Sequence, residues 1–147
     1  MCSSDLSRSY FGPSNLHDYT IQAEMQGNIM NKKIPDMGVI AQGYTLEMQG
    51  EHQKLYLSSW ISHDFRTHTE VDFKWEPSKW YVVKLKVSNQ DGKAVAEGKV
   101  WPKGDPEPAE ALIKVVDETP NIQGSPGLFG NATNAEIFID NVTVTPN

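Results

Sequence analysis

From Asp18 onward apolar residues recur at every second position, the spacing of strands that bury one face and wet the other. Tyr19, Ile21, Ala23 and Met25 alternate with Thr20, Gln22, Glu24 and Gln26; Tyr44, Leu46 and Met48 alternate with Thr45, Glu47 and Gln49; Leu55 and Leu57 continue the pattern. Residues 80–88 give the clearest strand, with Tyr81, Val83, Leu85 and Val87 on one side and Lys84 and Lys86 on the other. Next along the chain is Asn89-Gln90-Asp91-Gly92. Its Asp-Gly pair supplies the positive φ of a tight hairpin, and Ala94–Trp101 is the return strand. A last strand is expected over Glu136–Thr145, with Phe138, Val142 and Val144 on one face and Ile137 and Ile139 on the other.

No dozen-residue window holds the i, i+3, i+4 spacing of an amphipathic helix, and nine prolines punctuate the gaps. About eight to ten short strands are expected, the pattern of an all-β, antiparallel two-sheet β-sandwich or jelly roll. With 38% of 147 residues apolar, the chain supplies one core and hence one domain. The net charge of -6 repels phosphate backbones, which argues against nucleic acid as a partner. No apolar run approaches the roughly 20 residues that cross a bilayer as a helix, so no membrane insertion is expected. A single cysteine, Cys2, excludes an internal disulfide and a thiolate zinc site.

The opening Met1–Leu6 has no pattern joining it to the rest of the chain and resembles a translated sequencing adapter of the kind found on metagenomic reads. The natural chain is expected to begin near Ser7, with any export signal and partner domain upstream. Residues 1–9 are accordingly set apart as a disordered or artefactual segment, and 10–147 as the folded domain.

Three stretches carry a family resemblance: residues 80–87; Gly98-Lys99-Val100-Trp101-Pro102-Lys103-Gly104-Asp105-Pro106-Glu107-Pro108; and Gly124-Ser125-Pro126-Gly127-Leu128-Phe129-Gly130 with Phe138-Ile139-Asp140-Asn141-Val142-Thr143-Val144 after it. Together they resemble the concanavalin A-like lectin/glucanase sandwich. The likeness extends to domains that come after quinoprotein-type β-propellers in exported bacterial proteins, and through them to 3-keto-disaccharide hydrolase-like domains. The resemblance implies a periplasmic or extracellular protein whose partners are a carbohydrate or a neighbouring β-propeller. In the closing motif Gly127 is expected to take a positive φ, and Asp140-Asn141 to satisfy backbone donors of a turn.

Candidate chemistry is sparse. His52, His63 and His68 share a polar region with Asp64, Glu70 and Asp72, but His63 and His68 diverge on a strand, and no metal site is assigned. Calcium, common in this superfamily, would find one carboxylate in Asp140, which reads equally as a turn residue. Glycosidase action needs two carboxylates across a sugar, and Glu97, Glu47 and the weak Glu70-Val71-Asp72 match do not form the usual pair. No Ser stands in a Gly-x-Ser-x-Gly elbow and Cys2 is terminal, so nucleophilic catalysis is not expected. Aromatic rings on a sheet face stack on sugars, however, and Tyr56, Trp60 and Trp101 alternate away from Leu55, Leu57 and Val100, while Arg66, Glu47 and Gln49 could take hydroxyls. The expectation is a non-catalytic carbohydrate-binding or domain-docking module with ligand-binding residues Glu47, Tyr56, Trp60, Arg66 and Trp101. The alternative is a glycoside-acting enzyme of the 3-keto-disaccharide hydrolase type, using Glu47 or Asp72.

Overall fold

A computed structural model describes residues 6–30, 33–59, 67–132 and 135–147. Eleven strands appear among them: β1 (Leu6–Tyr10), β2 (Tyr19–Ile29), β3 (Asp36–Ala41), β4 (Tyr44–Gln49), β5 (Lys54–Ser59), β6 (His68–Asp72), β7 (Trp80–Gln90), β8 (Lys93–Pro102), β9 (Ile113–Asp117), β10 (Gly127–Asn131) and β11 (Ala135–Pro146). They form two antiparallel sheets, one of six strands in the order β1-β10-β3-β4-β5-β6 and one of five in the order β11-β2-β7-β8-β9.

The alternation read from the sequence sets the two inner faces. Tyr19, Ile21, Ala23 and Met25 of β2 and Tyr81, Val83, Leu85 and Val87 of β7 are buried against Met37, Val39, Leu46, Met48, Leu55 and Leu57 of the six-stranded sheet. Each large apolar side chain so enclosed contributes about 1.5–3 kcal/mol. Trp75 closes one end of this core, its indole N–H donating to the Gln49 carbonyl at 3.0 Å.

Two hairpins have two-residue turns with both residues at positive φ. Asp91-Gly92 (φ 51° and 77°) joins β7 to β8 as the sequence indicates, and Gln42-Gly43 (φ 50° and 80°) joins β3 to β4. Gln42 is fully buried: its Nε2 donates to Asn89 Oδ1 and to the Asn121 carbonyl, and its backbone N–H donates to the Tyr19 hydroxyl. The Tyr19 hydroxyl in turn donates to the Gly124 carbonyl at 2.7 Å. This network ties the β3–β4 turn to the segment between β9 and β10 at one tip of the sandwich.

Three details differ from the sequence expectation. The sequence pattern sets segment 1–9 apart, yet β1 begins at Leu6 and pairs with β10 from Leu6↔Asn131 to Tyr10↔Gly127. Gly127 lies within extended β10 rather than at positive φ; a Cβ there would meet the Ser9 carbonyl oxygen at 2.7 Å, so close approach of β1 is what calls for glycine. In β11 a bulge separates Asp140↔Glu24 from Thr143↔Gln22, with Asn141 at φ 48°. The extra residue reverses the faces beyond it, so Val144 pairs with Ile21 and packs on the core with Ile137 instead of sharing the exposed face of Phe138.

Candidate functional site

Because Leu46, Met48, Leu55 and Leu57 point inward, Glu47 and Tyr56 between them point out, and the β4–β5 register sets them side by side. The register extends this pair into a row across all six strands: Arg8, Phe129, Gly38, Glu47, Tyr56 and Glu70. At about 4.8 Å between strands, the row is roughly 24 Å long. Tyr10, Gly127, Ile40, Thr45, Ser58 and His68 form the neighbouring row on one side; Asp36, Gln49, Lys54 and Asp72 lie on the other.

Arg8 shapes this face. Its guanidinium carbon lies 4.9 Å from the Phe129 ring centroid, and its Nη1 donates to Thr45 Oγ1 at 2.8 Å. The side chain therefore leaves the edge strand, covers β10 and reaches β4. Gly38 puts no side chain in its path. A Cβ at Gly38 would run into the Leu46 carbonyl oxygen, so β3 and β4 approach too closely there for any other residue, and the floor beside Glu47 is bare backbone.

The electrostatics reflect partial burial. Burial pushes the Glu47 carboxyl up to about 7; Asp36 pushes the same way, while Gln49 and Arg8 pull it back. Asp36 is itself raised by burial, against a hydrogen bond from the Gly50 N–H at 2.8 Å. Burial lowers the pKa of Arg8, opposed by Tyr10 and Glu47. At the rim Tyr56 stacks on His68 with centroids 5.8 Å apart, and Lys54 Nζ lies 3.1 Å from Glu70 Oε1. A carboxyl, a guanidinium and a half-exposed aromatic ring thus converge on one face. They can hydrogen-bond adjacent hydroxyls and stack on an apolar ring face.

Of the residues singled out from sequence, Glu47 and Tyr56 come together here, with Gln49 one position along. Trp60 and Arg66 lie outside the described residues. Trp101 is on the outer face of the other sheet, where it pairs with Val82 and is only 8% exposed. Beyond β8 the chain turns back over that face: the Lys103 N–H donates to the Trp80 carbonyl, and Glu107 accepts from both Lys84 (3.1 Å) and Lys99 (2.8 Å). The structure therefore does not bring Trp101 to the Glu47 face. Asp140 accepts the Asn141 N–H within the β11 bulge. Among the described residues no three His, Cys, Asp or Glu side chains group as for a metal ion.

Sequence reasoning missed Arg8, Asp36 and Thr45, and weighed His68 only as a metal ligand. The alternation in Leu6-Ser7-Arg8-Ser9-Tyr10 was the available signal for β1.

Similarity to known proteins bears on the fold. No family model matches the chain, and no curated protein matches it in sequence. Among solved structures it is similar to the carbohydrate binding module CBM66 from Bacillus subtilis, with a TM-score of 0.66 and 14% identity over 97% of this chain and 83% of that one. It is also similar to sheep galectin-11, in complex with glycerol (TM-score 0.53, 9% identity, 99% of each chain), and to the Caenorhabditis elegans galectin LEC-6 (TM-score 0.56, 8% identity, 97% of this chain and 99% of that). The chain has the fold of a concanavalin A-like jelly-roll sandwich.

Proposed function

We propose that this domain binds carbohydrate without turning it over, on the outer face of the six-stranded sheet, with Glu47, Arg8 and Tyr56 as the central contacts. The observation that carries the reading is the placement of Glu47 between bare Gly38 backbone and the Tyr56 ring, with the Arg8 guanidinium near it. A sugar ring fits that arrangement: its hydroxyls meet an acceptor and a donor while its C–H face meets the phenol. The neighbours agree in kind, one being a carbohydrate binding module and two being galectins. Trp60 and Arg66, which follow β5 and precede β6 in the sequence, are further candidates. The resemblance to propeller-attached domains extends the proposal to a larger exported bacterial protein, periplasmic or extracellular, in which a β-propeller is the neighbouring domain.

Isothermal titration against saccharides selected on a glycan array tests the site. Tyr56→Ala and Glu47→Gln are each expected to weaken binding about tenfold or more with melting temperature little changed. Wild-type affinity retained in both variants would remove the site.

One observation favours the hydrolytic alternative: a carboxyl raised to about 7 has the proton affinity of a general acid. Under that reading a 3-keto-glucoside is consumed by the wild-type protein and not by Glu47→Gln. A flat progress curve at high protein concentration leaves binding as the activity.

A further inference from the structure

A roomy concavity lies at the tip rather than over Glu47. It is a cleft of about 560 Å³ bounded by Tyr10, Ser14, Gly43, Asn121, Ile122 and Gln123, a size within the roughly 300–1,000 Å³ range of small-ligand sites. Its floor is built. Gly43 and Gly124 approach so closely that a Cβ on Gly124 would meet the Gly43 nitrogen at 2.9 Å. Asn121 donates from Nδ2 to the Gly43 carbonyl at 2.9 Å and from its backbone N–H to the Tyr44 hydroxyl, and the buried Gln42 holds the Asn121 carbonyl from beneath. Its walls are mixed. Tyr10 is 48% exposed and Ile122 62% exposed, and Ser14 and Gln123 add polar groups at the rim.

The cleft also continues from the Glu47 face. Tyr10 lies two positions beyond Arg8 on the same side of β1, about 6.6 Å along the strand, and belongs to the row adjoining Glu47. Its ring lies over Gly127, where a Cβ would come within 3.1 Å of it, so the phenol is supported and presented rather than free.

We infer that this cleft is a second sugar-ring subsite, so that the domain recognises an oligosaccharide running from Glu47 and Arg8 past Tyr10 to the tip rather than a single sugar. The inference rests on the carbohydrate reading of the Glu47 face. A ring stacked on Tyr10 would meet an apolar surface at Ile122 and hydrogen-bonding groups at Gln123 and Ser14, the mixture that carbohydrate requires and that a purely apolar ligand does not use.

Calorimetric titration with a ladder of one- to five-unit oligosaccharides of glucose, galactose and fructose tests it on the wild-type chain, Tyr10→Ala, and the double variant Ile122→Ser with Gln123→Ala. The double variant alters only exposed residues remote from Glu47. The expectation is that wild-type affinity rises with length up to three or four units, and that both variants lose about tenfold for the long members while keeping affinity for the shortest. Equal wild-type affinity for every length, or variants that weaken all lengths alike, would overturn the subsite and leave the Glu47 face intact. Wild-type protein that binds no member of the ladder would overturn both.

Discussion

Glu47 is an acid held where its charge is poorly solvated, and the fold's stability should record this. Its carboxyl titrates near 7 in the folded protein against an ordinary 4.5, so between those values the native state holds the proton that the unfolded state has lost. The stabilisation is complete below about pH 4.5 and disappears as pH rises through 7, an effect on the order of 3 kcal/mol. Thermal melts should therefore show stability declining from pH 5 to 8, and Glu47→Gln should flatten that decline; an unchanged slope in the variant would place the titrating group elsewhere. Saccharide affinity should move the opposite way, rising with pH as the carboxylate becomes available to accept hydroxyl protons. At Gly38 the constraint is steric. Gly38→Ala forces β3 away from the Leu46 carbonyl and should lower stability by about 1–3 kcal/mol in chemical denaturation, with a loss of binding through the displaced floor. Residue-level chemistry was only half legible in the sequence. Glu47 and Tyr56 stand out because each interrupts an inward-pointing apolar pair on its own strand. Arg8 does not, because its role comes from reaching across two strands, which no local pattern encodes.

Strand pairing was more legible, and its exceptions have local causes. Period-two alternation located β2, β4, β5 and β7 because the inner face of each is consistently apolar, and the Asp-Gly turn located β8 as the return strand. β11 broke the rule because one extra residue at its bulge exchanges the two faces, and a sequence of alternating apolar residues carries no mark of where such an insertion falls. The Asp91-Gly92 and Gln42-Gly43 turns share a geometry and differ in surroundings. A Cβ at Gly92 meets nothing within 4 Å, whereas at Gly43 it meets Asn121 Nδ2 at 2.5 Å. Gly92→Ala should cost only the backbone penalty of about 1–2 kcal/mol, while Gly43→Ala should cost more, because Asn121 must also give up its bond to the Gly43 carbonyl. Urea denaturation of the two variants side by side checks the order, and equal losses would mean that the tip relaxes freely.

For the whole molecule, the two outer faces differ in character. That of the six-stranded sheet presents polar groups, whereas that of the five-stranded sheet carries the buried Val82 and Trp101 beneath a returning segment pinned by Glu107. Trp101→Ala should therefore lower stability by about 3–5 kcal/mol while saccharide affinity, measured well below the melting temperature, stays as in wild type. A selective loss of affinity would bring the tryptophan back into the binding site. The sequence alone grouped Trp101 with Glu47 and Tyr56 because alternation reports which side of its own strand a residue occupies. It does not report to which sheet the strand belongs, and that assignment depends on pairings between distant segments.

Those distant pairings also govern how the protein is made. β10 is inserted between β1 and β3, so the earliest strand of the six-stranded layer has no partner until residues 127–131 exist. On a ribosome that strand waits until β10 has been made, with Arg8 and Tyr10 already present but unplaced. Completion of the Glu47 face thus has to wait for β10, and a chain arrested before β10 exposes the free edges of β1 and β3 to aggregation.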